Sequence, residues 1–258
     1  MAQKILLLDI DGVILKDKLL LHNVRENVVD YVQKRVPIKN LDIMQARHLN
    51  KLLYSSYGHT LRGMRIAFPE HAEQYTNVDF SHHVYNKKLL SNLLDYIDKS
   101  DEFKVIQTEL QSVLNHCNDR NIPIHVLSNS PIEWSLPIFT SLDVSHMVIS
   151  GDTIFHSDHP YFNNVLLKPD KKFYTTVYNR LKRKYSFRNS NGGTIEGTIE
   201  NKEIDCVFVD DSPINLLPIL SIAGWTPVLF KEPDYKTSQE AMSYIKNVST
   251  LSEIKLYL

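Results

Sequence analysis

Two aspartates with a single residue between them end the first apolar run of the chain. Asp9 and Asp11 follow apolar residues 5–8, and Gly12 comes directly after them. A short apolar run bounded by charge and then glycine is typical of a buried parallel strand that ends at a functional edge. Two crowded carboxylates repel each other unless a cation or a shared proton compensates. The pair therefore predicts Mg²⁺ and phosphate chemistry, although an acidic surface loop accounts for such a pair taken alone equally well.

Three further polar groups accompany the pair, and two of them also follow apolar runs. They are Ser128 with Asn129, Lys168 with Pro169, and Asp210 with Asp211. Each has a local alternative: a turn or helix cap for the first and third, and a solvated lysine before a helix for the second. In a doubly wound sheet, however, the carboxyl ends of the strands meet at one crevice, so we expect these side chains to converge there.

This ordered set resembles the haloacid dehalogenase-like (HAD) superfamily of phosphohydrolases. The segments that match are 9–13, 128–129, 168–169 and 210–212 with Asn215, and they span nearly the whole chain. The resemblance implies an α/β fold, a doubly wound parallel sheet with a HAD-like Rossmannoid core and an inserted helical cap. It also implies that Asp9 is a nucleophile forming an aspartyl-phosphate, that Asp11 is the general acid and base, and that Ser128 and Lys168 hold phosphate.

The predicted metal ligands are all aspartates. They are Asp9, Asp11, Asp210 and Asp211, with Mg²⁺ as the cofactor. Phosphoryl transfer itself calls for these residue types, because charge develops on the equatorial oxygens and has to meet Mg²⁺ and Lys168. Asp9 is already ionised at neutral pH and needs no base. Asp11 has to give a proton to the leaving alkoxide and later take one from water, so we expect its pKa to be raised.

Composition fits this interpretation and excludes some partners. The chain has 258 residues, of which 43% are hydrophobic, and its net charge is −1. Neither nucleic acid nor a membrane surface is expected to bind through bulk charge, and the expected partner is a small-molecule phosphate monoester. Two cysteines do not make a disulfide framework, and the first apolar run is too short for a signal peptide or a membrane span. We therefore expect a cytoplasmic protein.

The spacing of the predicted strands indicates a large insertion. Residues 4–10 and 122–127 are predicted strands, and more than a hundred residues between them exceed any simple crossover. Three- and four-residue apolar spacing predicts helices within that interval, at 25–36, 40–53, 79–88 and 89–98. We expect a helical cap at 15–100 and an α/β core made of 1–14 and 101–258.

The rest of the core is predicted to alternate strand and helix. Strands are expected at 146–149, 204–209 and 225–230, with helices at 132–142, after Lys168 and at 214–223. The polar segment 185–202, which contains a tandem Gly-Thr-Ile-Glu repeat, is predicted to be a surface loop.

The cap carries the signal for the substrate. Segment 54–64 resembles the Y-x-x-Y-G-x-T-L-x-G pattern of the pyrimidine 5′-nucleotidase branch, which implies a nucleoside monophosphate. Tyr54 or Tyr57 is then expected to stack on the base, and Arg62 to meet carbonyl or phosphate oxygens. Asn129 is predicted to bind substrate beside Ser128. The cap alone carries this finer prediction, because Gly12-Val13 and Ser128 follow the wider superfamily instead.

Rival functions remain open at this stage. A phosphomutase or a sugar-phosphate phosphatase would use the same residues. A carbon–halogen hydrolase of this fold needs no acid at the second position, so Asp11 argues against it. A non-catalytic binding module that kept the fold would commonly have lost the nucleophile or the lysine, and this chain retains Asp9 and Lys168.

Overall fold

A computed structural model describes residues 2–141, 154–155, 166–186, 203–231 and 244–258. Within these ranges it contains a six-stranded parallel sheet in the order β3-β2-β1-β4-β5-β6. The strands are β1 (Gln3–Leu8), β2 (Ile124–Leu127), β3 (Ile154–Phe155), β4 (Ile204–Asp210), β5 (Trp225–Phe230) and β6 (Lys246–Val248). The sheet confirms the predicted α/β class.

Nine α-helices lie in the same ranges. They are α1 (Lys18–Arg35), α2 (Ile43–Tyr57), α3 (Thr60–Ala67), α4 (Asn77–Val84), α5 (Lys87–Lys99), α6 (Asp101–Asp119), α7 (Ile132–Ser141), α8 (Lys171–Ser186) and α9 (Pro213–Leu216). Three 3₁₀ helices span Pro69–Gln74, Leu217–Ser221 and Leu251–Tyr257.

Helices cover both faces of the sheet, as the alternation along β1 requires. Ile5 and Leu7 pack in one buried cluster with residues of α8, and Leu6 and Leu8 pack in another with residues of α6 and α7. Successive side chains of a strand point to opposite faces, so a strand covered on both sides must be apolar at every position. This explains the uninterrupted run 5–8 and confirms the doubly wound architecture.

A third buried cluster is formed by side chains of α1, α2, α3 and α4 and is separate from the two clusters that cover the sheet. It is built from side chains such as Val32, Leu53, Leu61 and Phe80. Helix α5 differs, because Leu89 and Leu93 belong to the cluster on the sheet. The domain limits 15–100 therefore stay a prediction. Helix α5 falls inside these limits in sequence, but its buried side chains pack with the α/β core.

The inserted helices begin where side chains can cap them. Asp17 accepts a hydrogen bond from the backbone of Leu20 at the start of α1. Asp42 and Gln45 form a reciprocal capping box at α2, and Asn86 caps α5. Such caps satisfy backbone N–H groups that have no partner within the helix.

Several sequence expectations differ from the structure in detail. The helix predicted at 214–223 is only one short turn, α9, followed by a 3₁₀ helix, because Pro218 cannot continue the α-helical hydrogen bonding. Helices α3 and α6 and strand β6 were not predicted.

The predicted strand 146–149 and residues 187–202 of the polar segment lie outside the described residues. In the described ranges, no helix combines the length and apolarity needed to cross a bilayer.

Gly58 ends α2 and sets the approach of this helix to the core. Its φ is +76°, and a Cβ at this position would lie 2.4 Å from Cγ of Pro169, the residue after Lys168. Both the left-handed backbone and the missing side chain are therefore required.

Replacing Gly58 by alanine should lower the free energy of unfolding by about 1–3 kcal/mol, because strained backbone and a steric clash add. Chemical denaturation measures this, and Ser56→Ala, an exposed change on the same helix, is the matched control. Equal stability of the two variants would show that the turn is not constrained.

Candidate active site

The polar ends of β1 and β4 meet around the side chain of Lys168. Its Nζ lies 2.8 Å from Oδ2 of Asp9 and 2.7 Å from Oδ2 of Asp210. All three side chains are buried, with exposed fractions of 1% for Lys168, 7% for Asp9 and 0% for Asp210. Residues from three distant parts of the sequence thus form one buried ion-pair cluster, as the convergence of strand ends predicted.

The protonation of this cluster follows from its charges. Burial disfavours the Lys168 ammonium, but the Asp210 and Asp9 carboxylates outweigh that effect and raise the pKa of Lys168. Burial raises the pKa of Asp9, and Lys168 opposes the rise. Lys168 is therefore a fixed positive charge at the end of the central strand.

Three aspartates form an acidic group beside this cation. Asp9, Asp210 and Asp211 each place a carboxylate oxygen within 4.8 Å of the others. Burial of its carboxylate and the neighbouring Asp210 carboxylate raise the pKa of Asp211 to about 7, although part of the residue is exposed at the surface. One lysine does not balance three carboxylates, and clustered carboxylate oxygens are the donors that hard divalent cations prefer. The group is consistent with a divalent metal site.

Gly12 makes room for this arrangement. Its φ is +82°, and a Cβ here would lie 2.1 Å from Oδ2 of Asp211. The backbone between the two N-terminal aspartates and the start of α1 can therefore press against the late acidic pair only because residue 12 has no side chain.

Asp210 is held in place by its own loop. Its Oδ1 accepts hydrogen bonds from the backbone N–H of Ser212 at 2.8 Å and from Nδ2 of Asn215 at 3.0 Å. The other amide atom, Oδ1 of Asn215, is buried and has no hydrogen-bond partner among the described residues. Asp210 is thereby fixed with one oxygen on Lys168.

Ser128 and Asn129 reach the same site from the end of β2. Ser128 is buried, and its hydroxyl accepts a hydrogen bond from the backbone N–H of Ser130 at 3.2 Å. The amide of Asn129 bonds to both backbone groups of Lys168, donating to the carbonyl oxygen at 3.1 Å and accepting from the N–H at 2.9 Å. The predicted substrate-binding amide of Asn129 thus anchors the lysine segment, although Asn129 still lines the site.

Asp11, the fourth predicted metal ligand, is not one of the three aspartates whose carboxylate oxygens cluster. Its Oδ1 accepts a hydrogen bond from Nε1 of Trp134 at 2.8 Å, and its Oδ2 accepts from Oγ of Ser130 at 2.6 Å and from the Tyr85 hydroxyl at 3.5 Å. Burial raises the pKa of Asp11, and the bonds from Ser130 and Trp134 oppose the rise. Its carboxylate is therefore occupied by donors, and the described acidic group is Asp9, Asp210 and Asp211.

A cavity of about 790 Å³ opens over these side chains. Its floor comes from the ends of β1, β2 and β4 and from Lys168, and its walls come from α1, α2, α4 and the turn before α3. The charged, polar and aromatic side chains of the walls include Arg25, Glu26, Arg47, Asn50, Lys51, Tyr54, His59 and Phe80. A small molecule placed here would contact both the sheet edge and the inserted helices.

Two predicted substrate residues do not line the described cavity. Tyr57 packs over Gly63, and the guanidinium of Arg62 donates to the backbone oxygen of Tyr57 at 2.7 Å. Tyr54, one turn earlier on α2, does line the cavity, and its hydroxyl lies 3.4 Å from Oγ of Ser212. A sequence motif does not reveal which way a helix faces, and the substrate contacts expected of Tyr57 and Arg62 stay predictions.

Sequence reasoning also missed two partners of Asp11. Trp134 is buried and Tyr85 is half-buried, and they lie 123 and 74 residues from Asp11. The available signal was weak: a buried indole N–H or phenol usually finds a hydrogen-bond partner, but the sequence does not say which one.

Comparisons with known proteins give the fold. No protein-family model matches the chain, and no curated protein matches it in sequence. Among solved structures, a HAD phosphatase from Thermococcus onnurineus is similar with a TM-score of 0.54 and 16% identity, over 99% of this chain and 97% of that chain. A HAD hydrolase of family IA, variant 3, from Entamoeba histolytica has a TM-score of 0.53 and 15% identity, over 97% and 95%.

A structure of a dehalogenase is also similar, with a TM-score of 0.49 and 16% identity over 99% of this chain and 97% of that chain. The two matches with a phosphatase and a hydrolase of the HAD type extend over nearly the full length of both chains. The chain therefore has the fold of the HAD hydrolases, with an inserted group of helices over the sheet edge.

Proposed function

We propose that this protein is a Mg²⁺-dependent phosphomonoester hydrolase that works through an aspartyl-phosphate intermediate. The observation that carries the proposal is the buried cluster of Asp9, Lys168 and Asp210 at the floor of a cavity. A fixed ammonium beside a carboxylate nucleophile can neutralise a phosphoryl group as it transfers.

The proposed reaction gives the two N-terminal aspartates the roles that the resemblance to the HAD superfamily implies. A carboxylate oxygen of Asp9 forms a bond to phosphorus while the bond between phosphorus and the ester oxygen breaks. Asp11 gives its proton to the departing alkoxide, which leaves as the alcohol. Asp11 then takes a proton from water, whose oxygen attacks phosphorus and releases inorganic phosphate and free Asp9.

The remaining residues bind and orient the phosphoryl group. Lys168 offers N–H donors from the floor, and Ser128 offers a hydroxyl beside it. Asn129 fixes the backbone of Lys168, so the ammonium is placed before substrate arrives. Asp9, Asp210 and Asp211 would hold Mg²⁺, which supplies positive charge for the phosphoryl oxygens.

For the substrate we propose a nucleoside 5′-monophosphate. The cap-side wall of the cavity contains Tyr54, His59 and Phe80, which offer flat faces for a base. Burial lowers the pKa of His59 to about 3, so this ring stays neutral and adds no charge beside a base. Asn50 on the same wall offers an amide for the base edges. A phosphomutase remains the rival that uses the same catalytic residues.

Changing Asp9 to asparagine should lower turnover by at least about 10³-fold, because the amide is a poor nucleophile. Phosphate release from 4-nitrophenyl phosphate measures this, with melting temperature as the check on folding. Asp119→Asn, an exposed change at the end of α6, should leave the rate unaltered. An Asp9→Asn variant with wild-type turnover would rule out the nucleophile.

Removal of divalent cations should abolish phosphate release. Without a cation, the three carboxylates are opposed by one lysine only and should repel the negatively charged phosphate. The measurement is activity after dialysis against EDTA and after addition of Mg²⁺, which should restore it. Activity that persists fully in excess EDTA would contradict the metal dependence.

Tyr54→Ala should raise KM for a nucleoside monophosphate by about 10-fold or more, through loss of stacking on the base. The KM for a small phosphate without a base should change little. Arg62→Ala is the control, because Arg62 lies off the cavity in the described structure. Equal effects of Tyr54→Ala on both substrates would count against base recognition by this wall.

A further inference from the structure

The two oxygens of Asp11 face different surroundings. Oδ1 is bonded to Nε1 of Trp134, which is fully buried and is not among the residues that line the cavity. Oδ2 is bonded to Ser130 and Tyr85, and both of these residues line the cavity. Oδ2 is therefore the oxygen on the substrate side.

The hydrogen-bond partners of the two Asp11 oxygens differ in whether they can accept a hydrogen bond. An indole N–H can only donate, so Oδ1 must accept in every state of the site. The hydroxyls of Ser130 and Tyr85, which lie 3.1 Å apart, can each donate or accept. Only Oδ2 can therefore carry a proton without losing its hydrogen-bond partners.

The indole ring also contacts a second hydrogen-bond partner of Asp11. Its ring packs against Tyr85 with centroids 5.1 Å apart, and its backbone N–H bonds to the carbonyl oxygen of Pro131 at 3.2 Å. Tyr85 follows α4 directly. It packs both against the buried cluster formed by α1, α2, α3 and α4 and against the cluster that contains Leu6 and Leu8 of the sheet. Trp134 thus sits where the inserted helices join the core.

We propose that Trp134 is a positioning residue for the hydrolysis proposed above: it pins Oδ1 of Asp11 so that Oδ2 delivers the proton to the leaving group. This inference rests on the proposed function. It predicts a specific defect, since an ester whose alcohol leaves easily as an anion does not need that proton, whereas an alkyl phosphate does.

The two tryptophans of the chain supply a matched pair of variants. Trp134→Phe removes the N–H that bonds to Asp11. Trp225→Phe also alters a buried indole, but its Nε1 has no hydrogen-bond partner among the described residues. The experiment measures kcat/KM for 4-nitrophenyl phosphate and for glycerol 2-phosphate, because this ratio reports the step in which the alcohol departs.

Trp134→Phe should lower kcat/KM for glycerol 2-phosphate by about 10- to 100-fold and for 4-nitrophenyl phosphate by less than about 3-fold. Trp225→Phe should change both by less than about 3-fold. Equal losses on the two esters, or no loss on either, would overturn the positioning role. A wild-type protein that hydrolyses neither ester with Mg²⁺ would overturn the proposed function itself, and the inference with it.

A second measurement needs no turnover. The ¹H–¹⁵N spectrum should contain two indole signals, and Trp134→Phe identifies one of them. Asp11→Ala should shift that signal and leave the Trp225 signal in place, because only the Trp134 N–H donates to Asp11. An unmoved Trp134 signal would show that the contact does not exist in solution.

Discussion

The Lys168 ammonium lies between two buried carboxylates, and the rest of the site is arranged around that contact. A buried ion pair is costly to form, but removal of one partner is costlier, at about 3–5 kcal/mol, because an uncompensated charge remains. The strand ends of β1 and β4 and the segment before α8 are thus tied together by electrostatics. Asn129 adds two hydrogen bonds to the lysine backbone and ties in the end of β2.

The ion pairs of Lys168 make the two ends of the cavity chemically different. One end has a fixed cation and three carboxylates, and the other end is formed by helices of the insertion that expose both charged and aromatic groups. The contact between Gly58 and Pro169 brings α2 down onto the residue next to the lysine. The wall that would recognise the substrate is therefore positioned by the same segment that would recognise the phosphate.

Asp11 shows how a neighbouring residue of the same type can have another role. Asp9 and Asp11 are two residues apart, yet one faces Lys168 and the other faces Trp134 and Ser130. The chain reverses at once after Asp11, where the N–H of Gly12 bonds to the carbonyl oxygen of Leu15. One carboxylate thus lies in a charged pocket and the other in a hydrogen-bonded one, as the proposed roles of nucleophile and acid require.

The sequence alone determined the α/β class, the insertion after the first strand, and the meeting of Asp9, Ser128, Lys168 and Asp210 at one edge. Apolar runs with polar ends carry that information, because a strand buried on both faces is apolar throughout and parallel strands end at the same side. Element limits were less accurate, since caps and proline decide them locally: the helix expected at 214–223 ends at Leu216. Helix α6, although long and amphipathic, was missed altogether.

Only the tertiary structure decided the direction of individual side chains. Tyr54 faces the cavity whereas Tyr57 and Arg62 do not, although all three lie in one motif. Trp134 reaches Asp11 across 123 residues of sequence, and no local pattern encodes that pairing. Periodicity specifies which residues share a face of an element, but packing between distant elements specifies what that face meets.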